Sequence, residues 1–538
     1  MQQGFICPPQ LHYVRNHGAV PVKFETAEKK QQVWEDWRID VVGLVDKPLK
    51  ISMAELKELP FRQLPVLLVC AGNRRKEQNM VKQTIGFSWG PTAWATTIWG
   101  GCRLCDLLSA AGVKDDPEGK LHVHFRGPAG ELPKGDDGSY GTSVPLYRAM
   151  DPSMDIMVVW EQNGRSLMPD HGFPVRLIIP GYIGGRMIKW LCHIEVGAAE
   201  SSNFYHFMDN RVLPVGVTPE SATAEGWWYK PDYIINELNI NSAMASPAHD
   251  ETLAISPDSL GEVYTIKGYA YSGGGKKVIR CEISLDSGVT WEGGVVEHPE
   301  TPTEYGKYWC HCLWSFSVSI SRLLAAKEVC CRAWDNHMNT QPNHLTWNVM
   351  GMLNNPIFRI KIHRSYARTS VSELRFEHPT MPGKQPGGWM VEPPQPAVSP
   401  LVSGIRRIAS GLSLSRVGSS VALERMNAPP LARAPSASPA PALASMNEIA
   451  AGAIAKTVAV PLDPNGTITL EEIALHTTKS YDEVGHSDNA EKILMKFKIG
   501  ELPKPPGLLD GVPIVPILCA LGGAIGMLGL RALALRRK

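Results

Sequence analysis

The sequence predicts an α+β domain followed by an antiparallel β-sandwich, and three observations predict it. Over residues 1–225, strand-like apolar runs alternate with loops rich in Gly, Pro and charge. From about residue 240 to 365 the texture changes to short strand-like segments broken by Gly-rich turns, the pattern of stacked sheets. Residues 390–446 are then rich in Pro, Ala and Ser, and bury too little apolar surface to offset ordering entropy, so they read as a linker.

Taken in order, residues 64–70 (LPVLLVC) form a buried strand running into a tight loop at 71–73. Residues 104–111 form a short helix and 175–180 (VRLIIP) another buried strand. In the β-rich part, 264–271, 278–285 and 289–291 are strands, with turns at 272–275 and 286–288 that predict hairpins. Gly273, Gly274 and Gly275 stand beside Lys276 and Lys277, but lack the spacing and following helix of a phosphate loop, so a hairpin turn is the better reading. In the linker, Arg406 and Arg407 precede Ser410 as a basophilic kinase would require, although a solvated linker with incidental charge is the plainer account. Thr469 followed by Glu472 marks a helix start inside a small segment at 467–503.

Residues 511–530 carry no charge and are followed by Arg531, Arg536, Arg537 and Lys538. As a helix they would rise about 30 Å, the thickness of a bilayer core, so a C-terminal membrane anchor over 511–533 is expected. The N-terminus shows no basic region followed by an apolar run, hence no secretory signal. The 538 residues hold 11 cysteines at irregular spacing, which is not a disulfide framework. A formal charge of +1 gives no field for nucleic acid. The bulk of the chain is therefore expected in the cytosol, tethered by its C-terminus, with a soluble cytosolic protein as the alternative.

Cys70 ends its strand just before Arg74, Arg75 and Lys76. Cations and loop amides favour the thiolate, the form that ligates a soft metal. Alone, a cysteine after a strand is more often core packing. The run 69–80, VCAGNRRKEQNM, closely resembles the corresponding loop of eukaryotic assimilatory nitrate reductases, and its CAGNRR part is similar to that of sulfite oxidases. The resemblance continues through 11–17, 170–176, 184–190, 203–207, 226–231 and 234–242, and covers about residues 4–385.

This resemblance implies a sulfite-oxidase-like molybdopterin domain (1–238) followed by an immunoglobulin-like β-sandwich for dimerisation (239–388). It makes Cys70 the protein's thiolate ligand to molybdenum. Arg176 and Lys189 match positions that hold the anionic molybdopterin, with fixed donors suited to a phosphate. His171, Tyr13, Val14, Arg15, Asn16, His17, Met187 and Ile188 match other cofactor contacts. Arg15 and Arg75 match a paired-guanidinium pocket for a planar anion, and Trp89 and Asn203 match positions lining the substrate side. Met350 or Met352 supplies a further wall. The implied reaction is oxygen-atom transfer, reducing nitrate to nitrite. Residues 76–80, 87–89, 226–229 and 271–277 follow the nitrate reductase pattern, whereas the stretch after Trp89 departs from it.

In nitrate reductases a linker, here 389–466, leads to a cytochrome b5-like haem domain and then a flavin module. Residues 467–505 resemble only the two ends of that haem domain. His486 matches the second axial ligand of the haem iron, but the motif bearing the first is missing, so haem b is not expected on this segment. No FAD module is recognised, and a separate electron-donor protein is implied. Sulfite oxidation on the same scaffold, or a non-catalytic membrane-tethered remnant, are the alternatives.

Overall fold

The computed structural model describes residues 4–379, except 131, 136, 368 and 369, together with 389 and 390. The linker beyond 390, the haem-like segment with His486, and the anchor segment 511–533 lie outside the described residues. All described residues belong to one compact unit. Among them, no helix is long and apolar enough to cross a membrane.

The first half mixes helix with two five-stranded sheets, as expected. One sheet runs in the order Leu49–Ser52, Arg38–Gly43, His193–Gly197, His122–Arg126, Gly141–Pro145. The other pairs Phe61–Val69 with Trp94–Arg103 and then Met157–Gln162, which carries Arg165–Ser166 and Arg176–Ile178. The predicted helix is present as Leu104–Ala111, with Leu104, Leu107, Leu108 and Ala111 buried on one face. Its end is set by Gly112 at φ 66°, a left-handed position natural to glycine.

Phe61–Val69 explains its own composition. Side chains on a strand point alternately to opposite faces. Here Val66 and Leu68 enter the core of the first half, while Leu67 and Val69 enter a second core shared with the β-rich half. From Val66 onward both faces are buried, so that half of the strand is apolar rather than alternating, whereas its exposed start keeps Arg62 and Gln63. Cys70 thus emerges where the two cores meet.

The second half is a sandwich of a four-stranded and a six-stranded antiparallel sheet. Ile266, Ala270, Cys312 and Trp314 from one sheet pack with Cys281, Ile283, Cys331, Phe358 and Phe376 from the other. Two expectations need correction. The triple-glycine turn does not close a hairpin, because Val263–Tyr271 and Val278–Ser284 lie in different sheets. The turn carries the chain between sheets, and a Cβ on Gly273 would stand 1.9 Å from the Leu238 carbonyl oxygen, so backbone passes too closely for any side chain. Residues 289–291 are not a strand. The Asp286 carboxylate accepts from the Thr290 amide at 2.9 Å and its hydroxyl at 2.6 Å, prolonging the turn until Glu292–Gly293. The hairpin predicted there does form, with Ile283 opposite Glu292.

Candidate active site

A cavity of about 450 Å³ opens beside Cys70. Cys70 is half-buried, and its Sγ accepts from the Gly72 amide at 3.4 Å. The loop turns sharply at Arg74, which adopts φ 64°, before the helix Arg75–Val81. A left-handed arginine is strained, and its surroundings hold it there. Its guanidinium is fully buried, forks onto Glu77 at 2.7 and 2.8 Å, and reaches Asn241 Oδ1 at 2.7 Å. Asn354 of the sandwich donates to the Arg74 carbonyl at 2.9 Å, and the Asn348 amide donates to Gln78 at 2.9 Å. The second half therefore fixes the loop that presents the thiol.

One part of the cavity lining is cationic, with Arg176 and Lys189. Arg176 begins the strand Arg176–Ile178 and donates to the carbonyls of His171 at 3.0 Å and Met187 at 3.2 Å. Burial pulls its pKa down to about 10. Lys189 donates to the Asp170 carbonyl at 2.8 Å and to Asn16 Oδ1. Burial pushes Lys189 well below the ordinary lysine value, and the neighbouring Arg176 pushes it further. His12 falls to about 3, again chiefly through burial. Among the described residues, buried nitrogens here lack hydrogen-bond partners: His12 Nε2, Asn16 Nδ2 and Arg176 Nε. Unpaired buried donors and uncompensated cations are costly, and an anionic, hydrogen-bonding ligand removes both costs. These residues therefore fit the phosphate and polar rings of a molybdopterin.

Arg75 and Arg15 form a second cationic part of the lining. The Arg75 guanidinium is held by the carbonyls of Met350 at 2.9 Å, Gly351 at 3.1 Å and Phe87 at 3.1 Å. Arg15 lies over the Phe87 ring, 4.7 Å from its centroid. Burial lowers the Arg75 pKa, partly offset by Cys70. His17 shares a hydrogen bond with Asp209 at 2.7 Å and packs on Tyr140, centroids 4.5 Å apart. Five cations line the cavity (Arg15, Arg75, Lys134, Arg176, Lys189), and among the described lining residues Asp209 is the one carboxylate.

The structure thus brings together Tyr13, Arg15, Asn16, His17, Cys70, Arg75, His171, Arg176, Met187, Ile188 and Lys189 around one cavity. Met350 and Met352 both line it, so the choice between them dissolves. Three expected residues stand outside the lining. Val14 is half-buried beside it. Trp89 touches the Tyr13 ring edge-on at 6.2 Å, behind the wall. Asn203 caps the helix Phe204–Phe207, accepting from the Tyr205 amide at 3.0 Å and donating to the Ser139 carbonyl at 3.0 Å. Its neighbours Phe204 and Tyr205, and further along Asp209 and Asn210, reach the cavity instead. His12, Lys134, Tyr140, Asp209 and Asn210 were not singled out by sequence. His12 lies inside the matched segment 11–17 and Asp209 just beyond 203–207, and membership of or adjacency to those segments was the available signal. Nothing in the sequence pointed to Lys134.

A thiol at a strand end, beside a cavity lined by five cations and a single described carboxylate, suits a large anionic ligand. Residues 17–205 match the oxidoreductase molybdopterin binding domain, and 232–365 match the Mo-co oxidoreductase dimerisation domain. The chain belongs to the molybdopterin-binding oxidoreductases. Within them it is similar to NADH nitrate reductase 2 of Nicotiana tabacum, 48% identical over 93% of this chain and 54% of that protein. It is 57% identical to the NADH nitrate reductase of Volvox carteri over 70% of this chain and 42% of that one. With the NADH nitrate reductase of Solanum lycopersicum the identity is 55%, over 73% of this chain and 42% of that one. The chain therefore spans about half the length of the curated relatives it matches. A looser likeness, TM-score 0.48 and 22% identity, runs to the sulfane dehydrogenase SoxCD of Paracoccus pantotrophus, covering 66% of this chain and 81% of that one.

Proposed function

We propose that this chain reduces nitrate to nitrite by two-electron oxygen-atom transfer. The observation that carries the reading is the cavity itself: Cys70 shares one lining with the buried cations Arg176 and Lys189 and with the arginines Arg15 and Arg75. When bound, a molybdenum–molybdopterin supplies the two electrons and receives the oxygen that leaves nitrate. Cys70 would ligate the metal, and Arg176, Lys189, Asn16 and His171 would hold the pterin and its phosphate. Arg15 and Arg75 bind the planar anion and stabilise charge as the N–O bond breaks. Phe87, Met350 and Met352 wall the anion from water, which strengthens those contacts. Nitrate rather than sulfite is supported by the names and identities of the relatives.

The sandwich serves as an immunoglobulin-like dimerisation module in a homodimer, supported by the domain match at 232–365. Electrons come from a separate donor protein, supported by the missing centre of the haem-like segment 467–505. The uncharged run 511–530 tethers the chain to a membrane with the catalytic part in the cytosol. Purified, molybdenum-loaded protein with a chemical reductant should form nitrite from nitrate. Sulfite-dependent reduction of an acceptor, without nitrite formation, would overturn the assignment. Recovery in the soluble fraction of cells expressing the whole chain would overturn the tether.

A further inference from the structure

The glycine turn at 272–275 lies outside the catalytic cavity. Gly274 and Gly275 take φ 64° and 71°, and with Lys276 they line a second cavity, of about 380 Å³. Among the described residues the two cavities share no lining side chain. This one lies on the seam between the two halves. Arg148 reaches it from the helix Leu146–Met150 of the first half, while Lys276 and Lys307 reach it from loops of the sandwich. Tyr305 and Asn336 add a hydroxyl and an amide to the lining.

Charge in this second cavity is unbalanced. Glu237 is the one carboxylate among its described lining residues, and it is divided between Arg148 and Lys276, each 3.6 Å away. Both contacts are long and partly in water, so they hold their cations weakly. Lys307 adds a third cation. Three cations against one carboxylate leave an excess of two positive charges, before His337 is counted. The cations also converge. Arg148 and Lys276 meet on one carboxylate, and Lys276 and Lys307 flank adjacent glycines. A Cβ on Gly274 would stand 2.6 Å from Lys276 Nζ, and one on Gly275 2.6 Å from Lys307 Cδ. Glycine at both positions lets the two lysine stems lie against the backbone of the turn.

We propose that this cavity binds a phosphate group carrying two negative charges, as inorganic phosphate or a small phosphomonoester. Two charges match the excess. Arg148 offers a planar fork to two oxygens, and the ammonium groups of Lys276 and Lys307 meet the others. The site is not a nucleotide phosphate loop, because the chain after Lys276 continues as the strand Val278–Ser284 and offers no helix N-terminus. Seated there, the anion ties the helix Leu146–Met150 to the sandwich and stabilises the folded chain in proportion to its occupancy. The site stands whether or not the chain reduces nitrate.

The test uses the whole chain loaded with cofactor, so that the catalytic cavity is filled. Inorganic phosphate, glycerol 3-phosphate and, at matched ionic strength, chloride are titrated by calorimetry and by melting temperature. Wild type is compared with Lys307→Gln, Arg148→Gln and Arg75→Ala. The expected result is one phosphate group per chain, with Kd on the order of 1 mM or tighter and a melting temperature that rises to a plateau. Lys307→Gln and Arg148→Gln should each weaken binding about tenfold. Arg75→Ala, a change in the catalytic cavity, should leave it intact. Whichever phosphate binds more tightly identifies the source of the group. Absence of saturable binding by either phosphate overturns the proposal, as does binding unchanged in both Lys307→Gln and Arg148→Gln. Binding lost in Arg75→Ala overturns it by returning the anion to the catalytic cavity. Equal stabilisation by chloride overturns it by reducing the effect to screening.

Discussion

Cys70 gains its role from position rather than from rarity. Nine other cysteines among the described residues carry free thiols, and six of them are buried. Burial pushes Cys102 and Cys331 up to about 12, making them inert packing groups. Cys70 alone among the cysteines lines the cavity in the described structure. Cys70→Ser should abolish nitrite formation while circular dichroism and dimer mass stay unchanged; retained turnover would remove Cys70 as the metal ligand. Lys189 offers a complementary test. Its buried charge is a liability in the cofactor-free chain and an asset once an anion arrives. Lys189→Met should therefore raise the melting temperature of cofactor-free protein while lowering the molybdenum it retains. A fall in both would show that its bonds to Asn16 and Asp170 matter more than its charge.

At the scale of elements, the loop 70–74 and the segment 84–87 form a clamp around the Arg75 guanidinium. A Cβ on Gly86 would lie 2.3 Å from Cζ of Arg75, and one on Gly72 would lie 2.5 Å from it. Gly86→Ala should push the guanidinium aside, raising KM for nitrate roughly tenfold through loss of a charge-assisted contact, and lowering the melting temperature as its bonds to the Met350, Gly351 and Phe87 carbonyls weaken. An unchanged KM would take Arg75 out of the anion pocket.

Much of this arrangement was legible beforehand. The strand before Cys70 announced itself as an unbroken apolar run, and the helix Leu104–Ala111 as an apolar face ended by glycine. What escaped was information that a linear pattern does not carry. A glycine turn looks alike whether it joins paired strands or crosses between sheets, so the turn after Tyr271 was misread. Asn203 sits in a matched segment, yet its side chain is spent on capping a helix, a choice fixed by local geometry. Asp209 declares itself only when folding sets it against His17, 192 positions away.

For the whole molecule, pH is an informative probe. Burial is the main cause lowering His12 and His311 to about 3 and His206 to about 4, against 6.5 for an unconstrained ring. Folded, these rings stay neutral until pH 3–4; unfolded, they protonate near 6.5. Unfolding therefore takes up protons between those values, so stability is full above about pH 6.5 and declines as pH falls. At pH 5 the loss is on the order of 2 kcal/mol for each ring. Urea titrations of the cofactor-free chain at pH 7.5 and 5 should differ accordingly; equal midpoints would show that the rings are already charged in the fold. Sedimentation of the loaded chain should report a dimer, and a monomer at micromolar concentration would deny the sandwich its assembly role.

The strand Phe61–Val69 contributes one row of side chains to each of two hydrophobic interiors. Neither interior can loosen without tugging on the residue that follows, the proposed sulfur donor. Lesions far out in the sandwich should consequently surface as enzyme that has lost its molybdenum, and a search for the culprit confined to the pterin pocket would look in the wrong half of the protein.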